Sequence, residues 1–421
     1  MSLRVDRSNT TKRRVLSDLQ GVRNDSMALK SPPVDSEKLF EIFMSLVQIP
    51  SPSGQEEKVC QYLQGRFNAL AKELPGLTYE VVQGGNLIVH IPSNRAENRK
   101  TLVMTGHMDV VSPCTNVRPE VRGTGEGRTI HATGGNVLGA DGKSAFPPML
   151  ESLEMSIRHN LPRPALIYAI TTREEQGLQG VKEINPAIYK NADFAIAFDH
   201  TGKQGTMIYQ APTSQLTTVT VNGQEAHGGI DPENGASAIE AMGRGIAILG
   251  DTTLNRYRRG RFSPTTTVNV GTIKGGTARN VVPGKAIAQI DVRSHSSRQV
   301  AQVTANINIA FRQASQAVPG TSYAVTPMVL YEHYKTSRRN PHVQLIKTAM
   351  NTLEIPYTPQ ISNGGSDVNV FVKNGLPSVV LSSGFVNPHQ PDKEWIALND
   401  MVSMTQLTME IWKQFALCTT E

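Results

Sequence analysis

The spacing of hydrophobic positions divides the chain into segments of helical and extended periodicity. Between residues 35 and 48, apolar side chains recur at the spacing of an amphipathic helix. Elsewhere, short apolar runs bounded by glycine, proline or asparagine predict strands. In the first half of the chain the pattern predicts helices at 35–48, 55–71 and 143–160, strands at 77–82, 86–91, 101–105, 165–171 and 194–198, and a loose hairpin at 122–136. Strands that alternate with helices predict an α/β sandwich with a largely parallel central sheet.

The pattern changes near residue 212 and changes back near residue 334. In between it predicts strands at 214–222, 265–273, 286–293 and 322–330 and helices at 234–249 and 297–317. This βαββαβ order is a self-sufficient unit, so we interpret it as an inserted lid domain. The α/β pattern then resumes with helices at 341–353, 367–374 and 399–417 and strands at 358–361 and 378–382.

The pattern therefore predicts four parts along the chain. They are a basic flexible N-terminal extension (1–34), the first part of a catalytic domain (35–211), the lid domain (212–334) and the second part of the catalytic domain (335–421). A length of 421 residues agrees with more than one core. The role of the extension stays open, and Met27 is an alternative start.

Charge and composition exclude several classes of partner. The net charge is +6, but residues 1–30 hold seven basic and three acidic residues and so contribute +4. The remainder has no basic stripe interleaved with aromatic residues, which argues against a nucleic-acid partner. No apolar run approaches the roughly 18–20 residues that span a bilayer, so we expect no membrane association. Three widely separated cysteines predict no disulfide framework and a cytoplasmic location.

Two short polar motifs follow predicted strands. His107 and Asp109 point the same way if the strand continues, so His107 could bind a metal ion while Asp109 holds its other ring nitrogen. Glu174 and Glu175 follow the buried strand at 165–171. Glu175 could bind metal while Glu174 acts as general base on a bound water. A chance turn and a solvated loop are the alternative interpretations of these motifs.

Three further residues complete a candidate site for two metal ions. Asp141, in the Gly-rich run at 138–145, is interpreted as a ligand shared by both ions, although an isolated Asp there also suits a turn or N-cap. Asp199 would join His107 on one ion, and His389 would join Glu175 on the other. Histidine and carboxylate ligands without thiolates suit Zn²⁺, with Co²⁺ or Mn²⁺ as alternatives.

The order of these motifs resembles the M20 family of dinuclear zinc aminoacylases and peptidases over residues 36–421. The runs at 138–141 and 364–367 resemble the peptidase T-like (tripeptidase-like) branch. The resemblance implies two Zn²⁺ ions per subunit, Asp141 as the bridge, Glu174 as general base and Asp109 behind His107. It also implies a cis peptide after Asp141.

The resemblance implies substrate-binding roles in and near the lid. His227 would stabilise the oxyanion, Arg279 would pair with a substrate carboxylate, and Asn280 would hold a peptide carbonyl. An exposed turn is the alternative for each. Asn363 precedes the pair Gly364 and Gly365 where the branch has arginine, which argues against strict tripeptide specificity.

These features predict a hydrolase of small peptides, of the aminotripeptidase or dipeptidase kind. It would use a metal-bridging water and a Glu general base. The alternative activity is an N-acyl amino acid deacylase or carboxypeptidase of the same superfamily. A non-catalytic binding protein of this fold is a third hypothesis, which the complete ligand set argues against. The resemblance allows a monomer or a homodimer formed through the lid.

Overall fold

The computed structural model describes residues 32–254 and 266–418. The predicted N-terminal extension, apart from residues 32–34, lies outside the described residues. The helices are α1 (Ser36–Val47), α2 (Glu57–Glu73), α3 (Phe146–Arg158), α4 (Gln179–Glu183), α5 (Ala238–Leu249), α6 (Ser297–Ala317), α7 (Pro341–Thr352), α8 (Val368–Lys373) and α9 (Leu398–Leu417). A single distorted helical turn, Ala140–Lys143, precedes α3.

The strands fall into three sheets. They are β1 (Thr78–Val81), β2 (Leu87–Ile91), β3 (Thr101–His107), β4 (Glu120–Arg122), β5 (Thr129–His131), β6 (Ala165–Thr171), β7 (Phe194–Phe198), β8 (Thr206–Ala211), β9 (Thr213–Asn222), β10 (Thr266–Gly275), β11 (Lys285–Ser294), β12 (Ser322–Tyr331), β13 (Tyr334–Lys335), β14 (Thr358–Ile361), β15 (Ser378–Leu381) and β16 (Trp395–Ala397). The smallest sheet joins β4, β5 and β16 and contains the predicted hairpin.

The central sheet is parallel in the middle and antiparallel towards its edges. Its order is β1-β2-β6-β3-β7-β15-β8-β13, with β14 paired to β8. The pairs β6/β3, β3/β7 and β7/β15 are parallel, whereas β1/β2, β2/β6 and β8/β13 are antiparallel. This confirms the predicted α/β class with a largely parallel sheet. Strands such as β7 are buried along their whole length because helices cover both faces.

Alternate residues of the central strands enter two different cores. Leu102 and Met104 of β3 pack with α2, α3, α7 and α9, where Trp412 is buried. Val103, on the opposite face, packs with Phe371 of α8. The two-residue period of a strand therefore gives each face of the sheet its own helix layer.

The inserted segment has a sheet and a core of its own. Its four antiparallel strands lie in the order β10-β11-β9-β12. Helices α5 and α6 pack on this sheet and bury Met242 and Phe311. The predicted βαββαβ order is confirmed by the sequence of elements from β9 to β12.

Three strands were not predicted from the pattern: β8, β13 and β16. Both β13 and β16 are too short to show periodicity, and β8 mixes polar and apolar residues. They form because remote strands supply hydrogen-bonding partners, such as β15 for β8. Among the helices of the described ranges, none has the length and apolar character needed to cross a membrane.

Candidate metal centre

The loop that carries Asp141 is fixed by its two flanking glycines. Gly139 and Gly142 adopt positive φ angles of 77° and 85°. A Cβ atom at Gly142 would lie 2.6 Å from the His107 ring, so only glycine fits beside that histidine. The predicted cis peptide after Asp141 is wrong, because Ser112–Pro113 is the one cis bond in the described residues. The positive φ of Gly142 supplies the change of direction instead.

The two carboxylate oxygens of Asp141 face two different histidines. Oδ1 lies 3.3 Å from His107 Nε2, and Oδ2 lies 3.1 Å from His389 Nε2. Each histidine faces a second carboxylate through the same nitrogen. His107 Nε2 is 3.5 Å from Asp199 Oδ1, and His389 Nε2 is 2.8 Å from Glu175 Oε1. The structure thus brings together all five residues predicted as metal ligands.

The parallel strands explain why residues so distant in sequence converge. His107 ends β3, Glu175 follows β6 and Asp199 follows β7, and these three strands are neighbours in the order β6-β3-β7. The carboxyl ends of parallel strands meet at one edge of a sheet, where ligands of α/β proteins bind. His389 reaches the same edge from the loop after β15, with a φ of 61°.

Asp109 holds the segment after β6 as well as lying beside His107. Its backbone carbonyl is 2.9 Å from His107 Nδ1, while its carboxylate Oδ1 is 3.4 Å from the same nitrogen. The carboxylate accepts hydrogen bonds from the backbone N–H groups of Glu174 and Glu175 at 2.9 and 3.1 Å and from the Ser53 hydroxyl at 2.7 Å. Asp109 therefore fixes both adjacent glutamates.

Glu174 is buried beside the candidate ligands. Within the described residues, its side chain forms no hydrogen bond with His107 or His389. Burial raises its pKa well above the ordinary value, and the negative charges of Asp199 and Glu175 raise it further. A carboxyl group in this environment holds a proton more readily than an exposed glutamate does.

Four of the five candidate ligands have pKa values that burial and their neighbours shift. Burial raises the pKa of Asp199 to about 7 despite its hydrogen bond to His107. Asp141 and Glu175 raise the pKa of His389 to about 10. Although burial opposes the charged forms, the carboxylates raise the pKa of His107 and the histidines lower that of Asp141. Such a set gathers more negative charge than its histidines neutralise, which is the environment that a divalent cation stabilises.

The donor set fits a metal ion in spacing and chemistry. His107, Asp141 and Glu175 offer ligand atoms that all lie within 4.8 Å of one another. Imidazole and carboxylate ligands without a thiolate suit Zn²⁺, Co²⁺ and Mn²⁺.

Two buried carboxylates near the site were not predicted to have roles. Glu394 accepts hydrogen bonds from the backbone N–H groups of Leu138, Gly139 and Asp141 at 2.8, 3.2 and 3.0 Å. Asp367 accepts one from the Thr171 hydroxyl at 2.6 Å. Glu394 lies more than 250 positions from the backbone it binds, so no local motif could reveal it. Asp367 stood within the motif at 364–367, which was the available signal.

The predicted lid residues meet one another but not the ligand cluster. A backbone bridge joins His227 to Val281, and the Asn280 carbonyl accepts from Gly228 N–H at 2.9 Å. His227, Arg279 and Asn280 are all exposed. Within the described residues, none of the three has a hydrogen bond or ion pair to a predicted metal ligand.

The run at 363–365 lies where the lid meets the central sheet. The Asn363 carbonyl is 3.4 Å from Arg293 Nη1 of β11. Gly364 N–H donates to the Ser362 hydroxyl at 2.9 Å. A Cβ at Gly365 would lie 2.3 Å from the Tyr331 ring, so glycine allows the end of β12 to pack here.

Histidines and carboxylates gathered at the strand ends of an α/β fold are typical of metal-dependent hydrolases. Residues 216–318 match the peptidase dimerisation domain called M20 dimer. A tripeptidase structure from Staphylococcus aureus is 30% identical to this chain, covering 91% of it and 100% of the tripeptidase, with a TM-score of 0.80. The chain belongs to the M20 peptidase family and is an enzyme.

Two other similar proteins differ in what they are said to do. The structure of aminopeptidase PepT from Bacillus cereus is 28% identical, covers 91% of this chain and 99% of PepT, and has a TM-score of 0.77. An acetylornithine deacetylase from Shigella sonnei is 26% identical over 87% of this chain and 94% of its own length. Both peptidases and a deacetylase are thus similar to the chain over most of its length.

Proposed function

We propose that this M20 hydrolase cleaves the amide bond of small peptides and belongs to the peptidase T-like branch. The observation that carries the proposal is Asp141, whose two oxygens face His107 and His389 separately. The similarity to the tripeptidase and to PepT supports a peptide substrate.

Two divalent cations, Zn²⁺ or otherwise Co²⁺ or Mn²⁺, would be held by the five predicted ligands. His107 and Asp199 would bind one ion, His389 and Glu175 the other, and Asp141 both. When bound, such ions lower the pKa of a water molecule and polarise the carbonyl that it attacks.

Glu174 is proposed as the general base. Its carboxylate would take a proton from the attacking water and return it to the leaving amine nitrogen. The raised pKa suits the first of these steps, because it makes the carboxylate a stronger base towards the water molecule. Asp109 supports this role by holding the Glu174 backbone at 2.9 Å.

The domain boundaries and lid roles remain proposals. Residues 35–211 and 335–421 would form the catalytic domain, and 212–334 the lid. His227 would stabilise the oxyanion, while Arg279, Asn280 and the run at 363–365 would bind substrate. Because the lid residues are exposed and away from the ligands, these roles require a movement of the lid or a second subunit.

A second candidate activity is removal of an acyl group from an amino acid. The similarity to acetylornithine deacetylase favours it. Hydrolysis rates for tripeptides, dipeptides and N-acyl amino acids, compared on one preparation, separate the two. The peptidase proposal fails if only acyl amino acids are cleaved.

Glu174→Gln tests the mechanism directly. We expect kcat to fall by about 10²–10⁴-fold, the usual contribution of a general base, while metal content stays unchanged. Glu73→Gln, at the exposed end of α2, is the matched control and should keep full activity. A Glu174→Gln enzyme with most of its turnover would refute the assignment of the base.

The match to a dimerisation domain supports a homodimer formed through the lid. Light scattering should then give twice the chain mass of 45.8 kDa. The cytoplasmic location stays a prediction.

A further inference from the structure

A cavity of about 650 Å³ lies outside the candidate metal centre and shares no residue with it. Basic and aromatic side chains line this cavity. It lies between β8, β13, α7 and the segment before β14. Its walls carry four cations and no carboxylate. The lining residues are Tyr209, Lys335, Thr336, Ser337, Arg338, Arg339, Gln344, Lys347 and Tyr357.

The backbone around this cavity is held by hydrogen bonds on several sides. Thr336 is buried, and its N–H donates to the Tyr209 carbonyl at 2.8 Å while its hydroxyl donates to the Ser378 carbonyl at 2.6 Å. The Gln344 side chain donates to the Arg338 carbonyl at 2.6 Å. These bonds tie the loop at 336–340 to β8, β15 and α7, so the cavity is formed before any ligand binds.

Two of the four cations lie over aromatic rings. The Arg338 guanidinium carbon is 5.3 Å from the centre of the Tyr209 ring, and Lys347 Nζ is 5.6 Å from the centre of the Tyr357 ring. Both distances are within the range of cation–π contacts. The rings orient these charges without neutralising them, because a ring carries no net charge.

None of the four cations forms a salt bridge within the described residues. Lys38 and Arg66, by contrast, are both paired with the Glu154 carboxylate. Like charges that converge without an acidic partner repel one another, and an anion bound among them removes that repulsion.

We propose that this cavity binds a small molecule with clustered phosphate groups. Two guanidinium groups offer paired donors that match the oxygens of a phosphate, and two lysines add point charges. The volume is that of a typical small-molecule site. The site is separate from catalysis, because Thr336 anchors it at Ser378, the first residue of β15, whereas His389 follows the other end of that strand.

Isothermal titration of the full-length protein with tripolyphosphate tests the site. The double variant Arg338→Gln/Lys347→Gln should bind about 10- to 100-fold more weakly, from the loss of two charge-assisted contacts. The matched control Lys72→Gln/Arg312→Gln removes the same charge from exposed positions in α2 and α6 and should bind as the unaltered protein does. Heat from metal chelation is common to all three proteins.

Parallel titrations define the ligand class. ATP should bind at the same site with the same loss in the double variant, whereas citrate should bind more weakly than tripolyphosphate. The proposal is overturned if tripolyphosphate does not bind, if both double variants lose binding equally, or if citrate binds as tightly. Preferential binding of a single-stranded RNA oligomer at the same salt concentration would also overturn it.

Discussion

Glu394 shows how one side chain can organise a candidate metal site to which it contributes no predicted ligand. Its buried carboxylate accepts three backbone N–H groups of the Asp141 loop. Three such bonds fix the loop on both sides of Gly139, and thereby the direction of the Asp141 carboxylate. Burial raises the pKa of Glu394 to about 7, although these hydrogen bonds favour its charged form.

Glu394→Gln should therefore weaken metal binding without removing a ligand. An amide places an N–H₂ group against backbone N–H groups that need an acceptor. We expect metal affinity to fall by about 10- to 100-fold, as for other residues that support ligands. Metal titration monitors this, and the exposed neighbour Lys393→Gln is the control. Unchanged affinity in Glu394→Gln would contradict the role.

Glu151 is a buried acid on α3 that the proposed mechanism does not use. Its side chain is 1% exposed and lies 3.1 Å from Lys38 Nζ. Burial raises its pKa above 4.5, and Lys38 only partly opposes this. Because the folded-state pKa is the higher one, the group favours folding fully below pH 4.5, and this contribution is lost as pH rises through the folded-state pKa.

Glu151→Gln should remove that pH-dependent loss. Relative to the unaltered protein, the variant should gain stability as pH rises from 4.5 to neutrality. Denaturant unfolding across this pH range measures the difference. The control Glu154→Gln breaks partly exposed ion pairs with Lys38 and Arg66 and should cost about 0.2–1 kcal/mol. A constant difference at every pH would contradict the assignment.

Sequence motifs could predict the residues that meet at the candidate site, and Asp109 beside them, but not the more remote residues that position them. His107, Asp199 and Glu175 stand at strand ends, which hydrophobic runs mark clearly. Glu394 accepts a hydrogen bond from the backbone of Asp141, and Glu56 accepts one from the backbone of Arg173, just after β6. Both acceptors lie far in sequence from the segments that they bind. A backbone N–H group does not depend on the type of its residue, so hydrogen bonds to such groups leave no pattern in the sequence.

At the scale of elements, the two lid helices meet through a glycine. Gly245 of α5 faces the Phe311 ring of α6, and a Cβ there would lie 2.5 Å from it. Gly243, two positions earlier, is exposed, and an added Cβ would have nothing within 4 Å. The same substitution at these positions therefore has opposite consequences.

Gly245→Ala should destabilise the lid, because overpacking costs about 1–3 kcal/mol and exceeds the helix-propensity gain. Gly243→Ala should instead stabilise α5 by up to about 1 kcal/mol. Urea unfolding of the two variants measures both effects. Equal shifts in the same direction would show that the helices separate to admit the methyl group.

Element type followed from periodicity for most of the elements that bury one face or their whole length. The lid helix α6 was predicted at its observed bounds because its apolar residues repeat over five turns. Strand β8 was missed, since it carries a mixed pattern and pairs with parallel β14 on one edge and antiparallel β15 on the other. Its pairing is decided by tertiary contacts rather than by its own sequence.

At the scale of the molecule, the lid is inserted in the chain between residues of the candidate metal centre. His107, Asp141, Glu175 and Asp199 precede the insertion and His389 follows it. Each side of the chain contributes to one central sheet, while the lid buries an apolar core that is separate from it. A metal ion shared between the two sides should therefore stabilise the central sheet and leave the lid core unaffected.

Removing the metal should therefore destabilise the unfolding transition of the catalytic part, which contains the central sheet. The unfolding transition of the lid should stay unchanged. With Zn²⁺ at 100 times its dissociation constant, the catalytic transition should gain about 2.7 kcal/mol over the chelated protein. Gly245→Ala should lower the other transition alone, because Phe311 belongs to the lid core. Calorimetry of both proteins, with and without chelator, separates the two effects. A single transition moved by both treatments would mean that the sheets unfold together, and the lid could not then be an independent unit.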